Sequence, residues 1–99
     1  MNKKNELPKN ILKQKLRRAL KNDYYWIARD GYWDINGIYK PEHGRLAVHK
    51  IKPYKHKQDY WFEAEFYQSY AIQDFGLLFP LISWENDEPT RIEDVLSSL

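Results

Sequence analysis

In the first quarter of the chain, Leu12, Leu16, Ala19 and Leu20 recur at spacings of four, three and one. This gathers them on one stripe of a 3.6-residue repeat and predicts an α-helix. Pro8 opens it, because its fixed φ and missing N–H suit a first helical turn. Ile11 flanks the apolar stripe, while Asn10, Gln14, Arg17, Arg18 and Lys21 fall opposite and turn a cationic face to water. Asn22 and Asp23 are the expected terminators. Residues 1–7 are mostly polar and are expected to form a flexible N-terminus, with residues 8–99 making a single α+β domain.

From Tyr24 onward the pattern shifts to aromatic and β-branched residues punctuated by turn dipeptides, the texture of strands. Residues 24–29 and 32–35 are divided by Asp30-Gly31, and Asn36-Gly37 follows. Both pairs tolerate the positive φ of tight hairpin turns, and one of the two is open to reading as a bulge. Residues 45–52 alternate without a clean polar side, as an inner strand does. Residues 59–70 form the strongest strand pattern, with Tyr60, Phe62, Ala64, Phe66 and Tyr70 on one side and Glu63, Glu65 and Ser69 on the other. Residues 76–84 read as a further strand, confined by Pro80 to an edge or a bulge.

The chain closes on Thr90-Arg91-Ile92-Glu93, a capping-box spacing, followed by Ile92, Val95, Leu96 and Leu99 at i, i+3, i+4 and i+7. The expected architecture is therefore α+β. A curved antiparallel β-sheet of about five strands, a meander or partly open barrel, is flanked by an N-terminal helix and a short C-terminal one.

Ninety-nine residues allow one core and exclude a two-domain enzyme. An aromatic content of 16% is too high for a disordered chain. Without cysteine there is no disulfide, thiolate nucleophile or cysteine-ligated metal. The longest apolar run, residues 77–82, is far short of the ~20 residues of a membrane span, and no secretory signal pattern is evident. No Gly-rich phosphate loop, nucleophile elbow or His-Glu-x-x-His pair occurs. These features lead us to expect a cytoplasmic protein with no membrane contact, no metal and no small-molecule cofactor.

Charge changes this picture. The formal net charge is only +2, but residues 1–21 carry eight basic and one acidic side chain, and residues 59–99 carry Arg91 against nine acids. Such a gradient suggests an electropositive surface for a polyanion. Lys50, Lys52, Lys55 and Lys57 surround Tyr54 in a second basic cluster, which mixes cations with an aromatic as strand-tracking surfaces do. The leading expectation is a non-enzymatic module that binds nucleic acid or another polyanion through Lys13, Arg17, Arg18, Lys21, Lys50, Lys52, Tyr54, Lys55 and Lys57.

The main alternative is a protein-interaction adaptor or inhibitor that presents Trp61, Glu63, Glu65 and Tyr67 to a protein partner, with the basic helix serving contacts within a homodimer. The third reading is a small ribonuclease, with His49 and Glu63 as an acid/base couple and Arg45 or Lys50 steadying the phosphate. His43, His49 and His56 stand six and seven residues apart, which fits no zinc-ligand spacing. The Glu63–Glu65 pair and the stretch Glu85, Asp87 and Glu88 read as a polar strand face and a helix-start bias, not as catalytic carboxylates or a calcium loop.

Overall fold

The computed structural model describes residues 3–55 and 69–99. Helix α1 spans Lys3–Lys21 and helix α2 spans Ile92–Ser98. Strands β1 (Trp26–Arg29), β2 (Leu46–His49), β3 (Ser69–Ala71) and β4 (Thr90–Arg91) form an open antiparallel sheet in the order β3-β2-β1-β4. This is the α+β class with two helices, but the described residues hold four strands rather than about five, and the sheet does not close into a barrel. Among the described residues no helix is long and apolar enough to cross a membrane.

The core follows the hydrophobic pattern. Pairings Ile27↔Val48, Arg29↔Leu46 and Val48↔Tyr70 put these five residues on one face of the sheet. Leu12, Leu16 and Ala19 of α1 and Ile92 and Val95 of α2 pack on that face with Ile27, Leu46 and Val48, and Leu78 and Ile82 complete the cluster. Full burial of each large aliphatic side chain contributes about 1.5–3 kcal/mol. Trp26, Ala28, Ala47 and His49 lie on the other face, where Trp84 packs against Ala28.

Helix α1 begins at Lys3, so Pro8 lies inside it instead of opening it, at the cost of the one backbone hydrogen bond a proline cannot donate. Its C-terminus ends as expected at Asn22 and Asp23. Asp23 adopts φ 68°, its N–H reaches the Leu20 carbonyl at 3.0 Å, and the Tyr24 N–H reaches the Ala19 carbonyl at 2.9 Å. That pair of bonds is a Schellman closure, and it folds Tyr24 back onto the helix it follows.

Four expectations are corrected. Residues 32–35 form no strand: the Asp34 carboxylate accepts the N–H groups of Asn36 (2.8 Å) and Ile38 (2.9 Å), and the chain turns at Gly37, φ 79°, leaving only a Trp33–Tyr39 bridge. Asp30-Gly31 is therefore not a hairpin turn, and β1 pairs instead with β2 beyond the 30–45 connection. Residues 76–84 are turns rather than a strand, because Phe75 and Gly76 both take positive φ (55° and 74°) and the Asp74 side chain captures the following N–H groups. Thr90 and Glu93 make no capping box: Thr90 is drawn into β4 opposite Ile27, Arg91 occupies the cap without a side-chain bond, and the Ile92 N–H goes to the Tyr25 carbonyl at 2.8 Å. The expected strand over 59–70 lies outside the described residues except for Ser69 and Tyr70, which start β3.

Candidate nucleic-acid interface

The two basic clusters meet at a pair of tyrosines. The Schellman turn sets Tyr24 beside the end of α1, and the Val48↔Tyr70 pairing sets Tyr70 on the helix side of β3, the outermost strand among the described residues. Their rings pack edge to face, with centroids 4.8 Å apart at 82°. The Lys50 Nζ stands 5.2 Å from the Tyr24 ring centre, a cation–π distance. On the other flank, Arg18 and Tyr70 line one shallow depression with Lys15, Ala71, Ile72 and Gln73. Burial pushes the Tyr70 hydroxyl above its ordinary pKa, and the nearby Arg18 charge acts against that rise. Arg18, Tyr70, Tyr24 and Lys50 thus form a continuous row of cation, two aromatics and cation.

Arg17 and Lys21 are exposed on the same helix, and Lys13 is half-buried. Among the described residues no carboxylate pairs with Lys15, Arg18, Arg45 or Lys50. The rest of the lysine-rich segment is engaged differently. Lys52 pairs with Glu88 at 3.3 Å and lies 5.6 Å from the Trp26 ring, which Arg91 also approaches at 5.3 Å. Lys55 donates to the Trp84 carbonyl at 2.6 Å and stands 4.5 Å from the Trp84 ring centre. These two lysines pin the 50–55 segment against residues 84–91, while Tyr54 is exposed. Lys57, Trp61, Glu63, Glu65 and Tyr67 lie outside the described residues, as does His56.

Beyond Arg18 the depression runs into an open groove of about 790 Å³ that shares Lys15, Ala71, Ile72 and Gln73 with it. Arg45, His43 and Glu42 line its far wall, and Arg29, Asp74 and Phe79 its base. Sequence reasoning missed this groove because a single buried arginine builds its base. Arg29 is the last residue of β1, in phase with the buried Ile27, and only 4% of it is exposed. Its Nε donates to the Ile82 carbonyl (2.8 Å), Nη1 to the Gly44 carbonyl (3.1 Å) and Nη2 to Asp74 Oδ2 (2.7 Å). The Asp74 carboxylate also accepts the N–H groups of Gly76 (3.1 Å) and Leu78 (3.2 Å). Gly44 fits there because it has no Cβ, which would fall onto the Asp30 carbonyl oxygen. The legible signal was an arginine standing on the apolar phase of a strand.

His49 is a buried imidazole that carries no charge at neutral pH. It sits at the end of β2 between Trp26 and Ser69, is buried, and has no hydrogen-bond partner for Nδ1 among the described residues. Burial, reinforced by the Arg45 charge, lowers its pKa to about 4, so the imidazole is neutral at pH 7. His43 is exposed in the Pro41–His43 turn, 3.5 Å from Glu42.

No family model, curated protein or solved structure matches the chain.

Proposed function

We propose that this protein is a small non-enzymatic module that binds nucleic acid through the surface where α1 meets the start of the 50–57 segment. The supporting observation is the row Arg18–Tyr70–Tyr24–Lys50, in which residues from four separate parts of the chain place two cations on either side of an aromatic pair. Cations without carboxylate partners attract phosphates and release their counterions, and aromatic faces accept bases. Arg17 and Lys21 extend the field along α1, whereas Lys52 and Lys55 contribute charge from positions already fixed by internal contacts.

The test is a double substitution, Arg18→Ala with Lys50→Ala, assayed by fluorescence anisotropy on a labelled mixed-sequence oligonucleotide. Loss of two phosphate contacts is expected to weaken binding about tenfold at 50 mM salt and to reduce the salt slope by about 1.4. Lys40→Ala, which removes a lysine already paired with Asp34 at 3.6 Å, serves as a control for loss of a single cation away from this surface and is expected to bind like the parent. Equal affinity of the double variant and the parent would refute the assignment of this surface.

A further inference from the structure

We infer that the nucleic acid taken by this surface is single-stranded, and that one unstacked nucleotide sits in the groove between Lys15 and Arg45. The inference rests on the nucleic-acid reading above and names the form of the ligand. Three observations carry it.

The first is size and shape. The groove measures about 790 Å³, within the ~300–1,000 Å³ of pockets that hold small organic ligands, which is large enough to take one unstacked nucleotide. The second is continuity. The groove and the Arg18–Tyr70 depression share Lys15, Ala71, Ile72 and Gln73, so a backbone crossing Arg18 passes Lys15 before reaching Arg45. Cations stand at both ends of that path with no carboxylate paired to them among the described residues.

The third is the chemistry of the walls. Tyr70 is 38% exposed at the shallow end, buttressed from behind by Tyr24, and Phe79 lines the deep end. Paired bases have no free π-face to offer these rings, whereas unpaired bases do. At the base, Arg29 and Asp74 already neutralise one another, so the groove's attraction for phosphate comes from the rim cations Lys15 and Arg45, with Gln73 and Glu42 as polar groups within reach of a base edge.

The experiment compares, at 50 mM salt, one labelled single strand with the blunt duplex of the same sequence, and uses heparin as a polyanion without bases. The single strand is expected to bind at least tenfold more tightly than the duplex. Tyr70→Ala is expected to lower single-strand affinity about tenfold and leave heparin binding unchanged, while Tyr70→Phe retains the parent affinity. Arg45→Glu, at an exposed position, tests the groove independently of Tyr70 and is expected to weaken the single strand more than the duplex.

Equal or tighter duplex binding would overturn the inference while leaving the nucleic-acid reading standing. A single-strand preference that survives both Tyr70→Ala and Arg45→Glu would also overturn it, since the strand would then lie elsewhere. Heparin bound but neither nucleic acid bound would overturn both the inference and the reading, and so would no binding to any of the three.

Discussion

Asp74→Ala is expected to destabilise the fold by about 3–5 kcal/mol, a large share of the about 5–15 kcal/mol typical of a folded domain. The substitution removes the carboxylate that pairs with the Arg29 guanidinium at 2.7 Å, in a site where Arg29 is 4% exposed. It also strips the acceptor from the Gly76 and Leu78 N–H groups, which hold the left-handed turn at Phe75 and Gly76. The milder Asp74→Asn retains an acceptor oxygen but no charge, and is expected to fall between parent and Asp74→Ala. Urea unfolding followed by tryptophan fluorescence measures both. A loss under 1 kcal/mol for Asp74→Ala would show that its ion pair with Arg29 is not what holds the groove base together.

Acid is expected to destabilise the protein through His49. Its folded pKa of about 4 lies below the ordinary 6.5, so between those values the unfolded chain binds a proton that the folded chain refuses. Stability contributed by the neutral imidazole is therefore complete above about pH 6.5 and is lost as pH falls towards 4, a change of about 3 kcal/mol from this one group. His49→Phe, which keeps a flat ring in the same space, is expected to flatten the pH dependence of the urea midpoint across pH 4–6.5. An unchanged slope in that variant would show that another group titrates there. The same neutrality argues against His49 as the general acid of a ribonuclease, since a proton donor with pKa about 4 is empty at pH 7.

The helices were legible in the sequence because their signals are local. Leu12, Leu16 and Ala19 are fully buried, Ile92 and Val95 likewise, and Asn22-Asp23 ends α1. A stripe at 3.6 spacing needs only a neighbour to pack on, and the sheet supplies it. The inner position of β2 was legible for the same reason, since a strand without a polar face must be covered on both sides.

What was not legible depended on competition or distance. At Asp34 a carboxylate two and four residues upstream of free N–H groups won against β-propensity, and at Asp74 the same chemistry, locked by Arg29 from 45 residues away, turned an apolar run into successive turns. Thr90 lost its cap role because its backbone found β1 first.

The interface divides along the same line. Arg18 and Lys50 were readable as members of basic clusters. Their meeting required Tyr24 and Tyr70 to be brought together by a Schellman turn and the β2–β3 register, neither of which composition reveals. Lys15 escaped notice, and Arg45 was read only as a phosphate-steadying neighbour of His49, because their groove exists only once Arg29 has tied β1 to the 74–82 segment.

The most direct measurement is the affinity of the parent protein for a labelled single-stranded oligonucleotide across 50–200 mM salt. With phosphates held by Lys15, Arg18, Arg45 and Lys50, log K is expected to fall against log salt with a slope of about −2.8, about a fifty-fold weakening over that range. Absence of binding at 50 mM, or binding that salt does not weaken, would contradict a phosphate-binding role for this face.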